Sequence, residues 1–144
     1  MVAGNLNLIK LSVGTESVES LETWQAVRRA ERSDGLARHV TRMWPKRAEA
    51  LLNGGSIYWV IKGAVLCRQR IMHLDEVIGS DGRRRCGIIL DPVMHRTVSA
   101  TKRPFQGWRY LDAADAPADL TVGTRVEDDI PTDLSQALAE IGVI

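Results

Sequence analysis

Apolar and polar residues alternate through Leu6-Asn7-Leu8-Ile9-Lys10-Leu11-Ser12-Val13, which predicts a strand that Gly14 and Thr15 break. The period then changes. Val18, Leu21, Trp24 and Val27 recur at a spacing of three and predict the apolar face of a helix. Ser17 or Thr15 can cap its first turn, where an unpaired backbone N–H needs a side-chain oxygen. Glu16, Glu19 and Glu22 fall near its start and Arg28, Arg29 and Arg32 near its end, the order that suits the helix dipole. Ser33-Asp34-Gly35 stops it.

Alternation returns over Arg38 to Met43 and predicts a second strand. Pro45 suits the opening of a short helix from Lys46 to Leu52, closed by Asn53-Gly54-Gly55. Ser56 to Lys62 is rich in β-branched and aromatic residues, as a strand requires. Gly63 separates it from a long β-type run, Val65 to Ile78. Asp81-Gly82 then signals a hairpin into a return strand, Arg84 to Leu90. Residues 92 to 104 read as irregular, and Phe105 to Leu111 as a further strand with Gly107 permitting a bulge. Asp112 to Leu120 reads as a turn or short helical piece. Residues 121–144 read as a tail, with a short helix after Pro131 carrying Leu134, Leu138 and Ile141 on one side.

About six strands clustered in the middle and joined by short turns predict an α+β domain with a mixed or antiparallel sheet, able to curl into a small barrel flanked by helices. At 144 residues, a single domain spanning 1–144 is expected. No run approaches the roughly 20 apolar residues of a membrane span, so no membrane partner is expected. The first residues lack the pattern of a secretory signal. Cys67 and Cys86 lie apart with no CxxC spacing, which fits a reducing compartment and gives no zinc site. A cytoplasmic location is the expectation.

Charge changes the picture more than composition does. The formal net charge is only +1. Residues 1 to 37 hold 4 Lys/Arg against 5 Asp/Glu, residues 38 to 110 hold 14 against 5, and residues 111 to 144 hold 1 against 8. Six of the seven aromatics, Trp44, Tyr58, Trp59, Phe105, Trp108 and Tyr110, fall in the basic segment; Trp24 stands outside it. Such asymmetry can mark an interaction surface that the net value hides.

Several stretches carry a resemblance: His39-Val40-Thr41-Arg42-Met43-Trp44-Pro45-Lys46-Arg47, Gly55 to Gly63, Cys67-Arg68-Gln69-Arg70-Ile71, and Arg103-Pro104-Phe105-Gln106-Gly107-Trp108-Arg109-Tyr110-Leu111. With Asn7 to Val13 and Asp115 to Leu120, they resemble a bacterial family of unknown function over most of the chain. The order of a strand, a short helix after Trp-Pro, Gly-Gly, an aromatic strand and a basic strand is also similar to PUA-like domains, especially the ASCH and EVE branches. That second resemblance implies a small β-barrel and a cleft beside it that takes RNA or a modified nucleobase.

Phosphates call for Arg and Lys, and unpaired bases call for flat faces to stack on. The sequence therefore nominates Lys46, Arg47, Arg68, Arg70, Lys102, Arg103 and Arg109 as phosphate contacts and Trp44, Phe105 and Trp108 as stacking faces. Arg68 and Arg70 are two apart in a predicted strand and should share a face. The bland alternative makes the aromatics core and pairs the arginines with the acidic tail. His39, His73 and His95 are the general acid/base candidates, but no nucleophile, metal or phosphate-loop motif accompanies them. No catalytic residue, metal or cofactor is nominated. The expected function is a non-catalytic module binding RNA or single-stranded nucleic acid. The alternatives are an enzyme acting on a nucleotide-like or phosphorylated substrate, and a homodimeric interaction domain.

Overall fold

A computed structural model describes residues 6–120. The opening alternation forms β1 (Leu6–Leu11), and Ser17 caps α1 (Val18–Arg29) through a reciprocal box with Ser20. Next come β2 (Ala37–Thr41), α2 (Ala48–Leu52), β3 (Ser56–Ile61), the fifteen-residue β4 (Ala64–Ile78) and β5 (Arg84–Leu90). They are followed by β6 (His95–Thr101), β7 (Trp108–Asp112) and a 3-10 turn at Ala113–Asp115. The architecture is α+β, as expected, and mostly sheet, with two α-helices among the described residues. The predicted C-terminal helix lies outside the described residues.

The strand order is β2-β5-β4-β3-β1-β7, with β6 also pairing to β4. Among the described strands only β1 and β3 are parallel, because α1, β2 and α2 intervene between them. The path has two ends, β2 and β7, so the sheet is open where a small barrel was expected. It is nevertheless strongly curled. In a flat sheet β2 and β3, three places apart, would lie roughly 14 Å from each other. Instead the His39 ring on β2 meets Trp59 on β3 edge-on, 5.2 Å between centroids. Across the open seam, the Trp108 indole N–H on β7 donates to the Met43 carbonyl just after β2, at 3.0 Å.

Alternation sorts the side chains onto two faces. Leu6, Leu8, Ile57, Trp59, Ile61, Cys67, Ile71, Ile88 and Leu90 join Val18 and Leu21 of α1 and Leu51 of α2 in the main core. Ile9, Tyr58, Val60, Val65 and Leu111 form a second cluster, with Phe105 and Ala116 packed against it. Val65 and Cys67 would share a face in a regular strand. A register shift between them inserts Leu66 and sends them to different clusters.

The run read as irregular contains β6. Its sequence, HRTVSAT, is polar, and Thr97 is its only buried residue. With so little apolar alternation the strand carries almost no periodic signal.

Candidate functional site

Helix α1 does not bury the face that a spacing of three suggests. Three residues turn an α-helix through about 300°, so each step drifts about 60° and Val27 ends opposite Val18. The buried stripe is Val18, Leu21 and Gln25. Trp24 is 54% exposed and Val27 61% exposed. Of the four tryptophans, the one set apart from the basic segment is the one presented to solvent. Trp59 and Trp108 are buried and Trp44 is half-buried.

A groove runs along α1 where it crosses β2 and the β1–α1 loop. Its outer part, a cavity of about 450 Å³, is lined by Trp24, Arg28, Arg29, Arg32 and Arg38, with Glu31 the one carboxylate among the described residues. Its inner part, about 460 Å³, shares Trp24, Arg38 and His39 with the outer and adds Lys10, Gln25, Trp59, Leu11 at the end of β1 and loop residues 12–16. The Arg28 guanidinium lies 5.1 Å from the Trp24 ring centroid, one helical turn on. Arg32 is engaged by Asp34 through two hydrogen bonds, at 3.0 and 2.6 Å. Arg28, Arg29 and Arg38 make no ion pair among the described residues. Arg28 and Arg29 also sit on the last turn of α1, where cations are favoured.

The floor is held by a satisfied polar network. Gln69, fully buried on β4, accepts from the Trp59 indole N–H at 2.8 Å and from the Gln25 amide at 2.9 Å. Its own amide donates to Gln25 at 2.7 Å and to the Asp91 carbonyl at 3.0 Å. All of its bonding capacity is used, which fixes the Trp59 ring as a wall of the inner cavity.

His39 and Lys10 in that cavity are both shifted by burial. Burial pushes the His39 imidazole down to about 4, and the nearby Lys10 charge adds to the effect. His39 is neutral at physiological pH, and its buried Nε2 has no partner among the described residues. Lys10, opposite Trp59 in the β1–β3 ladder, is lowered by burial and forms no ion pair among the described residues. Glu16 on the rim is held by Lys62 at 2.6 Å.

The residues nominated from sequence fall into separate local pairings. Trp44 packs against the main core with the Arg84 guanidinium 4.2 Å from its ring. Lys46 and Arg47 are exposed beside it; the Arg47 backbone N–H donates to the Tyr110 hydroxyl at 3.0 Å. Arg68 and Arg70 stand opposite Tyr58 and Ser56 with no irregularity between them, so they share a face. Arg68 grips Asp119 through two bonds, at 2.8 and 2.7 Å, and donates to Ser56 Oγ at 2.8 Å; Arg70 is exposed. This is an arginine paired with the acidic segment. The strap carrying Asp119 is tied to β6 by Val98 N–H to Ala118 and Leu120 N–H to Arg96, both 2.8 Å. A smaller cavity, about 240 Å³, lies between Tyr58, Arg68 and this strap. Lys102 is half-buried and Arg103 exposed. Phe105 packs on the second cluster with Arg109 5.0 Å from its ring. Trp108 is buried, hydrogen-bonded and edge-on to Tyr110, so its faces are occupied by packing.

His73 lies 3.6 Å from Asp75 on the surface and His95 is exposed, which leaves His39 as the histidine in a cavity. No group of three or more His, Cys, Asp or Glu among the described residues is placed to hold a metal ion. No helix among them is long and apolar enough to cross a membrane.

A protein-family model described as a protein of unknown function, DUF1489, matches residues 8–144. No curated protein and no solved structure matches the chain.

Proposed function

The chain belongs to the DUF1489 family, whose function is unknown, and from its surface we propose that it is a non-catalytic module for RNA or another single-stranded nucleic acid, with the groove along α1 as the strand-binding face. One observation carries this reading. Trp24 offers a half-exposed indole beside Arg28, Arg29 and Arg38, cations that no carboxylate neutralises among the described residues. An aromatic face for a base and fixed cations for the flanking phosphates are what a strand without sequence preference needs. Lys46, Arg47, Arg70, Arg103 and Arg109 are exposed as well and add to the positive field that draws in a polyanion.

An enzyme acting on a small nucleotide-like or phosphorylated substrate is the second reading, favoured by His39 in the inner cavity. A base near pKa 4 is poorly matched to proton abstraction at neutral pH, and no carboxylate hydrogen-bonds its ring among the described residues. The binding module is therefore preferred. Fluorescence anisotropy with labelled single-stranded RNA, single-stranded DNA and duplex at two salt concentrations tests it. The expected result is tightest binding to a single strand, weakened by salt, with Arg28→Ala/Arg29→Ala shallower in its salt dependence. No binding by the folded protein even at low salt would overturn it.

A further inference from the structure

The last described residue, Leu120, is tied to the helix that carries the groove. Its backbone N–H donates to the Arg96 carbonyl on β6 at 2.8 Å, and the Arg96 guanidinium grips Glu19 in the first turn of α1. Residues 121–144, outside the described residues, continue from that point. Their sequence holds five Asp/Glu against the single Arg125, and three of the five stand together as Glu127-Asp128-Asp129. Leu134, Leu138 and Ile141 follow at helical spacing.

The groove carries the complementary features. Arg28, Arg29 and Arg38 line its outer part and make no ion pair among the described residues. Trp24 and Val40 line the same part and are exposed, as is Val27 beside Arg28. The reach is sufficient. From Glu19 to Arg29 the helix rises about 15 Å, whereas residues 121 to 129 extend to about 30 Å at roughly 3.3 Å each. A single exposed ion pair is weak, but a tethered segment needs no strong contact. Over a short linker its effective concentration is on the order of millimolar, so a contact with a dissociation constant of that size fills the groove about half the time. A second copy of the chain offers the same residues without that local concentration.

Resting on the strand-binding reading, we propose that residues 121–144 dock in cis along α1 and that a single strand must displace them. The carboxylates of Glu127, Asp128 and Asp129 stand in for phosphates on Arg28, Arg29 and Arg38. The apolar residues that follow cover Trp24 in place of a stacked base.

The test places a nitroxide on Ser135→Cys in the full chain; Cys67 and Cys86 are buried and stay unlabelled. The indole N–H signal of Trp24, identified by its loss in Trp24→Phe, is read by NMR at low salt against the same protein with the label reduced. The reference for an undocked segment is the labelled chain that also carries Glu127→Gln/Asp128→Asn/Asp129→Asn. The signals of Trp44, Trp59 and Trp108 report that each variant is folded. The Trp24 signal is expected to fall about twofold or more below its value in the neutralised chain, and saturating single-stranded RNA should restore it. Equal signals in the two chains overturn the proposal and leave the strand-binding reading intact. RNA that binds without restoring the signal also overturns it, because strand and segment then do not share the groove. A loss that vanishes on dilution assigns the contact to a second copy and overturns docking in cis. A lowered signal with no RNA bound at any concentration supports the docking and overturns the strand-binding reading.

Discussion

His39 gives the sharpest handle on the groove, because its burial couples a local environment to the stability of the whole domain. The folded-state value is pushed down to about 4 by burial, with Lys10 adding to the shift. In the unfolded chain the imidazole titrates near its ordinary value of about 6.5. As pH falls through that value the unfolded state takes up the proton first, so stability is lost. The loss begins below about 6.5 and is complete only near 4, where folded His39 protonates too. At about 1.36 kcal/mol per unit the full span is worth about 3 kcal/mol, and a fall from about pH 7.5 to about pH 5 costs about 2 kcal/mol. Lowered carboxylates, such as Asp34 at about 2 and Asp119 in their ion pairs and Glu19 through its backbone hydrogen bond at the start of α1 and Arg96, act mainly below that window and are common to both proteins compared. Urea unfolding followed by tryptophan fluorescence at the two pH values should therefore show a smaller loss for His39→Gln than for the wild type, by about 2 kcal/mol. Equal losses in the two proteins would refute the claim that half-buried His39 is neutral in the fold.

Other features make further predictions. A Cβ at Gly55 would fall on the backbone carbonyl oxygens of Leu51 and Leu6, so Gly55→Ala should cost about 3 kcal/mol or more, or yield no soluble folded protein in thermal melts. Gln69→Leu leaves the Trp59 N–H and the Gln25 amide without their buried partner. It should lower stability by about 3 kcal/mol by urea titration, whereas a loss under about 1 kcal/mol would mean the network is not formed. Burial pushes the thiols of Cys67 and Cys86 up to about 12 and about 11, so neither should react with a thiol reagent at neutral pH until the protein is denatured. Rapid labelling of the native protein would contradict their placement.

Element type was legible wherever period and turn chemistry agreed. The Ser17 cap, the long β-type run ending at Asp81-Gly82 and the buried aromatic strand at Ser56 to Ile61 all follow from local residues. Strand β6 was not legible, because a strand with one buried residue has no alternation to read. The curl was hidden for another reason. It depends on bulges in β4 and on a side-chain contact between β2 and β3, both of which are long-range. The groove along α1 was the least legible feature. Counting charge by segment placed Arg28, Arg29 and Arg32 in a slightly acidic stretch, yet the fold sets them beside Arg38 of the basic segment. Trp108 and Phe105 had the composition of stacking residues, but packing uses their faces. A stricter 3.6-residue period would have turned Trp24 outward, and that was the available signal.

The most direct test of the strand-binding face compares Trp24→Ala with Arg68→Ala/Arg70→Ala in binding one labelled single-stranded RNA at low salt. Loss of one stacked base should weaken Trp24→Ala about tenfold, while the arginine pair, one member of which is occupied by Asp119, should change binding much less. Unchanged binding by folded Trp24→Ala, with strong loss in the arginine variant, would place the strand on the Arg68 face and contradict the groove along α1.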